Sequence, residues 1–305
     1  MRDTFVKTLV ELAKQDDKIE LITGDLGFGV LKPFWEQCPD QFTNAGIAEQ
    51  NMTGVAAGMA LSGKTVFTYS IGNFPTLRCL EQIRNDCAYH SANVKVVCIG
   101  GGFVYGSLGM SHHATEDIAI MRSLPDVVVM APGDLVEAEE ATKAIANYKG
   151  TCYLRLGRGG EKRIHEKIEN FQIGKAIKVH EGEKVAILSA GAIFEEVQQA
   201  YDMLVEKGLK PVVYTFPTVK PIDKEVIKKC AAECDLICTC EEHNIIGGFG
   251  SAVAEVMAEQ KNNKATLLRI GIEDFYCTEV GSQKYLRSCC GIDAKSIAEK
   301  ILKAL

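Results

Sequence analysis

No apolar run in this chain of 305 residues approaches the roughly 18 to 20 residues that a membrane span needs. The N-terminal stretch MRDTFVKTLVELAKQDDKIE carries its charges at amphipathic spacing, which predicts a surface helix in place of a signal peptide, and with it a cytoplasmic location. Basic charge is not in excess: 34 Lys and Arg stand against 40 Asp and Glu, a net charge of −6. That balance offers no broad positive field to nucleic acid or to an anionic membrane. Low-complexity segments and short-period repeats are missing as well.

The twelve cysteines include no paired CxxC pattern of a zinc site. The densest group, Cys230, Cys234, Cys238, Cys240 and His243, is spaced C-x3-C-x3-C-x-C-x2-H, and KKCAAEC reads as a helix end whereas LICTCEEH reads as a strand. Other thiols fall in apolar runs such as VKVVCIGGG, as expected of reduced, buried cysteines and not of a disulfide framework. Nucleotide signatures are incomplete. The run IGGGFVYGSLGMSHH never gives G-x-G-x-x-G, GGFGSAV has Val253 where the third glycine belongs, and neither carries a P-loop lysine.

What the chain does have is 47% hydrophobic residues, enough for a substantial core, arranged as apolar strands alternating with helical periodicity. Strands are expected at 19–25, 42–47, 64–70, 94–100, 127–132 and 152–157, with helices at 2–14, 49–62, 74–90, 114–123 and 134–148. Charge and glycine break the pattern in GGEKRIHEKIENFQIG, residues 159–174, so the domain boundary is placed there, giving domains 1–165 and 166–305. A second alternating set follows in EKVAILSAG, KPVVYTFP, DLICTCEEH and ATLLRIGI, with helices at 194–207, 223–233 and 249–260. Because parallel crossovers are right-handed, the fold class is α/β, with two doubly wound domains.

Glu49 is the unusual charge. In FTNAGIAEQNMTGVAAGMAL it stands before a helix built almost wholly from small and apolar residues. By itself it reads as a helix-start carboxylate favoured by the helix dipole, or as a buried functional group.

The neighbourhood as a whole resembles the C-terminal section of a transketolase, and in particular the form in which that section is a separate chain. The resemblance is carried by GIAEQNMTGVAAGMA, YSIGNFPTLRCLEQIRND, GGFVYGSLGMSHHATEDIAIMRSLPDVVVMAPGD, CYLRLGRGGE and EEHNIIGGFGSAVAE, which together span nearly the whole sequence. It implies a pyrimidine-binding domain of the thiamine diphosphate fold followed by a smaller transketolase C-terminal domain. It further implies a transferase that moves a two-carbon ketol unit from a ketose to an aldose.

Residue by residue, Glu49 matches the glutamate that hydrogen-bonds the aminopyrimidine of thiamine diphosphate and sets its tautomer. A carboxyl with that task belongs out of water, where it shares a proton with a weakly basic ring nitrogen. Phe74 matches the aromatic that stacks on the ring. One extra residue separates it from Arg78, assigned with it to the cofactor, relative to enzymes that make deoxyxylulose phosphate. His112 matches the histidine near the reacting carbon and the substrate hydroxyls, and His113 replaces a glutamine beside it. Arg158 and Arg2 match sugar-phosphate ligands, and Arg155 reads as a structural ion-pair partner. Asp25 matches an acid near the cofactor and the subunit interface. Gly29 replaces the usual phosphate-binding Ser or Thr, which leaves open whether the sugars are phosphorylated.

The sequence has no G-D-G of the kind that precedes the asparagine of a diphosphate-binding Mg2+ site. The resemblance therefore implies a partner, an N-terminal transketolase subunit carrying the diphosphate-binding domain and the Mg2+ or Ca2+. The cofactor would be shared between the two chains, and the pair would associate further into an α2β2-type assembly; self-association as a homodimer is the other arrangement. Two further readings stay open: a β-like subunit of a 2-oxo acid dehydrogenase or a deoxyxylulose-phosphate-type synthase, and a non-catalytic scaffold subunit. His243 is expected to fix a strand-end turn by hydrogen bonding.

Overall fold

The amphipathic N-terminus folds as α1 (Arg2–Ala13), which buries Phe5, Leu9 and Val10, and leads into β1 (Ile19–Thr23), buried throughout. The computed structural model describes residues 1–305. The first half continues with α2 (Lys32–Gln37), β2 (Phe42–Asn44), α3 (Glu49–Leu61), β3 (Thr65–Ile71), α4 (Leu80–Gln82), β4 (Val94–Ile99), α5 (Asp117–Ser123), β5 (Val128–Met130), α6 (Leu135–Asn147) and β6 (Cys152–Leu156). The second half comprises β7 (Ile177–His180), β8 (Val185–Ala190), α7 (Phe194–Glu206), β9 (Val212–Thr215), β10 (Thr218–Lys220), α8 (Lys224–Glu233), β11 (Leu236–Asn244), α9 (Phe249–Ala258), β12 (Thr266–Ile272), α10 (Gln283–Cys289) and α11 (Ala294–Ala304).

Two sheets result, ordered β10-β5-β6-β4-β3-β1-β2 and β12-β11-β8-β9-β7. Their inner strands pair in parallel and are covered on both faces, which is why VKVVCI and VAILSA read as continuous apolar runs. The departures from a wholly parallel, doubly wound layer are at the edges. β7 runs antiparallel to β9, and β10, from the second half of the chain, runs antiparallel to β5 in the first sheet, with Thr218 opposite Met130.

The expected helix at 74–90 is interrupted. Residues 74–79 form turns, α4 is three residues long, and a π-helical turn over Ile83–Ala88 completes the segment. Gly72, with φ of 38°, and Pro75 bend the chain out of β3 before a helix can start. The expected strand at 42–47 ends at Asn44, and the helix expected from 114 begins at Asp117.

One apolar core spans both halves. Ile118, Met121 and Val129 pack in the same cluster as Leu188, Tyr214, Phe216 and Phe249, and each such burial contributes roughly 1.5–3 kcal/mol. A polar node sits at the same junction. Asp134 caps α6 by accepting the Glu137 N–H at 2.8 Å, and its other oxygen accepts the N–H groups of Ile164 and His165 at 2.9 and 2.7 Å. His165 Nδ1 stands 3.2 Å from Asp134 and 3.7 Å from Glu137, whose Oε1 also accepts the Thr215 hydroxyl at 2.6 Å.

Burial pushes Glu137 up to about 7 against the pull of His165. Burial also works against the charge of His165, but Asp134 and Glu137 outweigh it and raise its pKa. Both folded-state values lie above the unfolded ones. Their stabilising contribution is therefore complete below the unfolded values and lost as pH rises through the folded ones, a window that for Glu137 runs from about pH 4.5 to about 7. The melting temperature of the wild type should fall more across that window than that of Glu137→Gln; parallel curves from differential scanning fluorimetry would show that Glu137 does not titrate there.

Candidate active site

The functional residues expected from the sequence gather at the C-terminal ends of the first sheet's strands, the side on which open α/β sheets bind ligands. Asp25 follows β1, Phe74 follows β3, the glycine-rich run of residues 100–109 follows β4, and Arg158 follows β6.

Glu49 is the first residue of α3 and is 3% exposed. Its Oε2 accepts a hydrogen bond from Arg78 at 2.8 Å, and its Oε1 has no hydrogen-bond partner. Ala56, Ala57 and Ala60 face inward on α3, so the small residues that frame Glu49 in the sequence let the helix pack closely on the sheet. Arg78, half exposed, lays its guanidinium 4.6 Å from the centre of the Phe74 ring. The Phe74 ring meets His112 edge-on, with centroids 5.4 Å apart. Glu49, Arg78, Phe74 and His112 thus form one continuous line of contacts.

Asp25 lies beside that line. It takes a left-handed conformation, φ 56°, and exchanges two hydrogen bonds with Asn44, at 3.0 Å from its N–H and 2.9 Å to its carboxylate. This ties the loop after β1 to the end of β2 and sets Gly24 against the Glu49 side chain.

A second group continues from His112. The ring of Tyr105 lies 6.3 Å from that of His112 and carries the exposed Arg158 guanidinium 5.4 Å from its centre. Burial raises the pKa of the Tyr105 phenol, while Arg158 and Arg2 pull it back. Arg2, held to Asp3 at 2.9 Å, also lines a groove with Gly29. Arg158 and Arg2 thus both act on the one phenol. Tyr105 was not among the expected residues. Its signal in the sequence is its place in the glycine-rich loop that leaves a central strand.

His113 is placed differently from its neighbour. It is buried, its ring stands edge-on to Phe103 at 5.1 Å, burial lowers its pKa, and its Nε2 has no hydrogen-bond partner. It lines a cavity of about 250 Å3 with Asn73, Leu77, Met110 and Glu116. The backbone around it is pinned: Gly102 and Ala114 exchange hydrogen bonds at 2.7 and 3.0 Å, and Asn73 donates to the His113 carbonyl at 2.7 Å.

Transketolase family models match the two halves: the pyrimidine binding domain over residues 1–160 and the C-terminal domain over residues 174–297. The chain belongs to the transketolase family. It is 36% identical to an apulose-4-phosphate transketolase subunit of Phocaeicola vulgatus, covering 99% of this chain and 96% of that protein. It is 37% identical to the 6-deoxy-6-sulfo-D-fructose transketolase subunit SqwH of Clostridium sp., covering 97% and 92%. A solved structure described as a split gene transketolase, inactive β4 tetramer, superimposes with a TM-score of 0.89 at 34% identity, covering 100% of this chain and 97% of that one. These end-to-end matches make the chain the C-terminal section of a split transketolase and favour that reading over a deoxyxylulose-phosphate-type synthase.

Within this transketolase section Arg155 is the structural ion pair expected. Its Nε donates to Asp117 at 2.8 Å, and its NH2 donates to the carbonyls of Ala114 and Glu242 at 2.9 and 3.0 Å. Burial opposes the guanidinium charge, but Asp117 outweighs it and holds the pKa above its ordinary value. Tyr153 donates to the same Asp117 oxygen at 2.6 Å. His243, also as expected, fixes a strand end: its Nδ1 lies 2.6 Å from the Asn244 carbonyl and its Nε2 accepts the Ala119 N–H. Replacing Asp117 by alanine leaves the Arg155 charge buried and unpaired, so Asp117→Ala should cost about 3–5 kcal/mol in urea unfolding; a loss below about 1 kcal/mol would show that Arg155 does not depend on it.

Proposed function

We propose that this transketolase subunit holds the aminopyrimidine half of thiamine diphosphate against Glu49 and Phe74, and acts only together with an N-terminal subunit. The observation that carries the reading is the buried Glu49 carboxyl, with one oxygen held by Arg78 and the other unpartnered, beside an aromatic face and a histidine. That donor set fits the cofactor. A carboxyl oxygen of Glu49 would hold the ring nitrogen, the Phe74 ring would stack on the flat heterocycle, and Arg78 keeps the carboxyl in place. When bound, thiamine diphosphate supplies the carbanion chemistry of ketol transfer.

The chain's own residues do the rest. Glu49 would hydrogen-bond the ring nitrogen through the oxygen that Arg78 leaves free. His112, exposed enough to meet substrate, donates to the sugar oxygen that gains charge or accepts a hydroxyl proton there. Asp25 closes the loop at the cofactor's edge. His113 presents an acceptor nitrogen toward a sugar hydroxyl. Arg2, Arg158 and Tyr105 take an anionic sugar terminus, a phosphate or a sulfonate, in keeping with the substrates named for the two relatives.

Mg2+ or Ca2+ is assigned to the partner. The one trio of potential ligands within reach of one another is Asp134, Glu137 and His165, which does not touch Glu49, Phe74 or His112. Ile47, Val55, Leu61 and Leu77, all exposed on or beside α3, give the partner an apolar surface to cover, and Gly54 and Gly58 leave space on that helix for close approach. Further pairing into an α2β2 assembly, a cytoplasmic location suited to twelve free thiols, and a domain boundary between residues 165 and 166 complete the reading.

Calorimetry with thiamine diphosphate and Mg2+, on the chain alone and mixed with its N-terminal subunit, tests the shared site. Binding should occur only in the mixture, with ketol transfer lost in Glu49→Gln; tight Mg2+-dependent binding by the chain alone would sink the two-chain reading. For the anion site, Arg158→Lys should raise KM for a phosphorylated aldose roughly tenfold and leave KM for its unphosphorylated analogue unchanged, because lysine cannot reproduce the planar fork. Equal effects on both sugars would place the phosphate elsewhere.

A further inference from the structure

The C-terminal domain reaches the histidine loop through a buried charge. Glu242, near the end of β11, is 2% exposed and directs its Oε1 out of its own domain to accept the Phe103 N–H at 2.7 Å. Its Oε2 receives the Arg287 Nε at 2.9 Å, and the Gln283 amide reaches both oxygens at 3.0 and 2.9 Å. Arg287 is fixed in turn by Glu196 at 3.2 Å and by the Ala192 carbonyl. All the groups around this carboxylate point it at one backbone amide of the first domain.

The approach is close. A Cβ at Gly102 would lie 2.6 Å from the Glu242 side chain, and one at Gly106 would lie 2.4 Å from Leu286 on α10. Glycine at both positions lets the loop after β4 lie directly on the second domain. The Phe103 side chain is completely buried and meets the His113 ring edge-on. His113 precedes Ala114, which is bridged to Gly102, and follows His112. An ion pair in so dry a place is weak evidence for stability, since apolar residues of similar size fill such a space equally well. What it adds is direction, because a carboxylate held from three sides fixes one amide in one place.

We propose that Glu242, held by Arg287 and Gln283, is a positioning residue for the active site: through Phe103 it sets the orientation of the His113 ring and the course of the loop that carries His112. This rests on the role given to His112 above, and it assigns the C-terminal domain a part in the reaction. An apolar core already spans the two domains. The Glu242 to Phe103 bond selects which way the histidine loop faces.

The test uses the complex with the N-terminal subunit and the variants Glu242→Gln and Phe103→Leu, the second leaving the buried ion pair intact in case the first folds poorly. Melting temperature, thiamine diphosphate affinity, kcat and KM are measured, together with the imidazole resonances of His113 in a 15N-histidine-labelled chain. Each folded variant should lower kcat at least tenfold with cofactor affinity within about threefold of wild type, and should move the His113 ring resonances. Unmoved resonances, or moved resonances with unchanged kcat, would overturn the proposal. His112→Ala runs in parallel. Its inactivity beside a normal Glu242→Gln refutes the positioning role alone, whereas an active His112→Ala refutes the role of His112 and leaves the ring resonances to decide whether Glu242 orients the loop.

Discussion

The buried guanidinium of Arg155 is the interaction on which the rest of the site depends. It projects from the inner strand β6 and bonds at once to α5 through Asp117, to the histidine loop through the Ala114 carbonyl, and to the second domain through the Glu242 carbonyl. A single planar cation with a rigid fork of donors joins β6 to two stretches remote from it in sequence, residues 114–117 and Glu242, a geometry that the point charge of lysine could not reproduce. The His loop, the junction of the domains and the end of β11 are therefore placed relative to one another before any ligand arrives.

Around that node the site is built as two adjoining halves. Glu49, Arg78 and Phe74 make a carboxylate and aromatic half, and Arg158 and Tyr105, with Arg2 nearby, make a cationic and phenolic half. His112 touches both through Phe74 and Tyr105.

Much of this is legible in the sequence because local pattern and burial agree. Glu49 stands out among small residues because a buried carboxylate needs close packing around it, and Arg155 reads as structural because it falls within the apolar strand run CYLRLG. Other features depend on partners distant in the chain. Three residues, TVK, form β10 only because the edge of β5 receives them, and nothing local marks them as a strand. The break in the expected helix at 74–90 follows from the turn at Gly72 to Pro75, which periodicity does not register. His112 and His113 look equivalent as neighbours, yet the short 3-10 turn at Met110–His112 sends one ring to Phe74 and the other to Phe103. Beyond Ile272 the structure adds α10 and α11, the first of which supplies Arg287 and Gln283 to Glu242.

Strand β10 also has a bearing on how the protein is made. The first sheet is finished by residues that leave the ribosome about sixty positions after β6, so for that interval β5 is an unpaired edge in an otherwise assembled layer. An edge of that kind is a template for another chain, and in the folded protein β10 covers it. Synthesis of the two halves as one continuous polypeptide is in this sense part of the folding mechanism. A version cut between the domains would have to find by diffusion the strand that the intact chain delivers on its own.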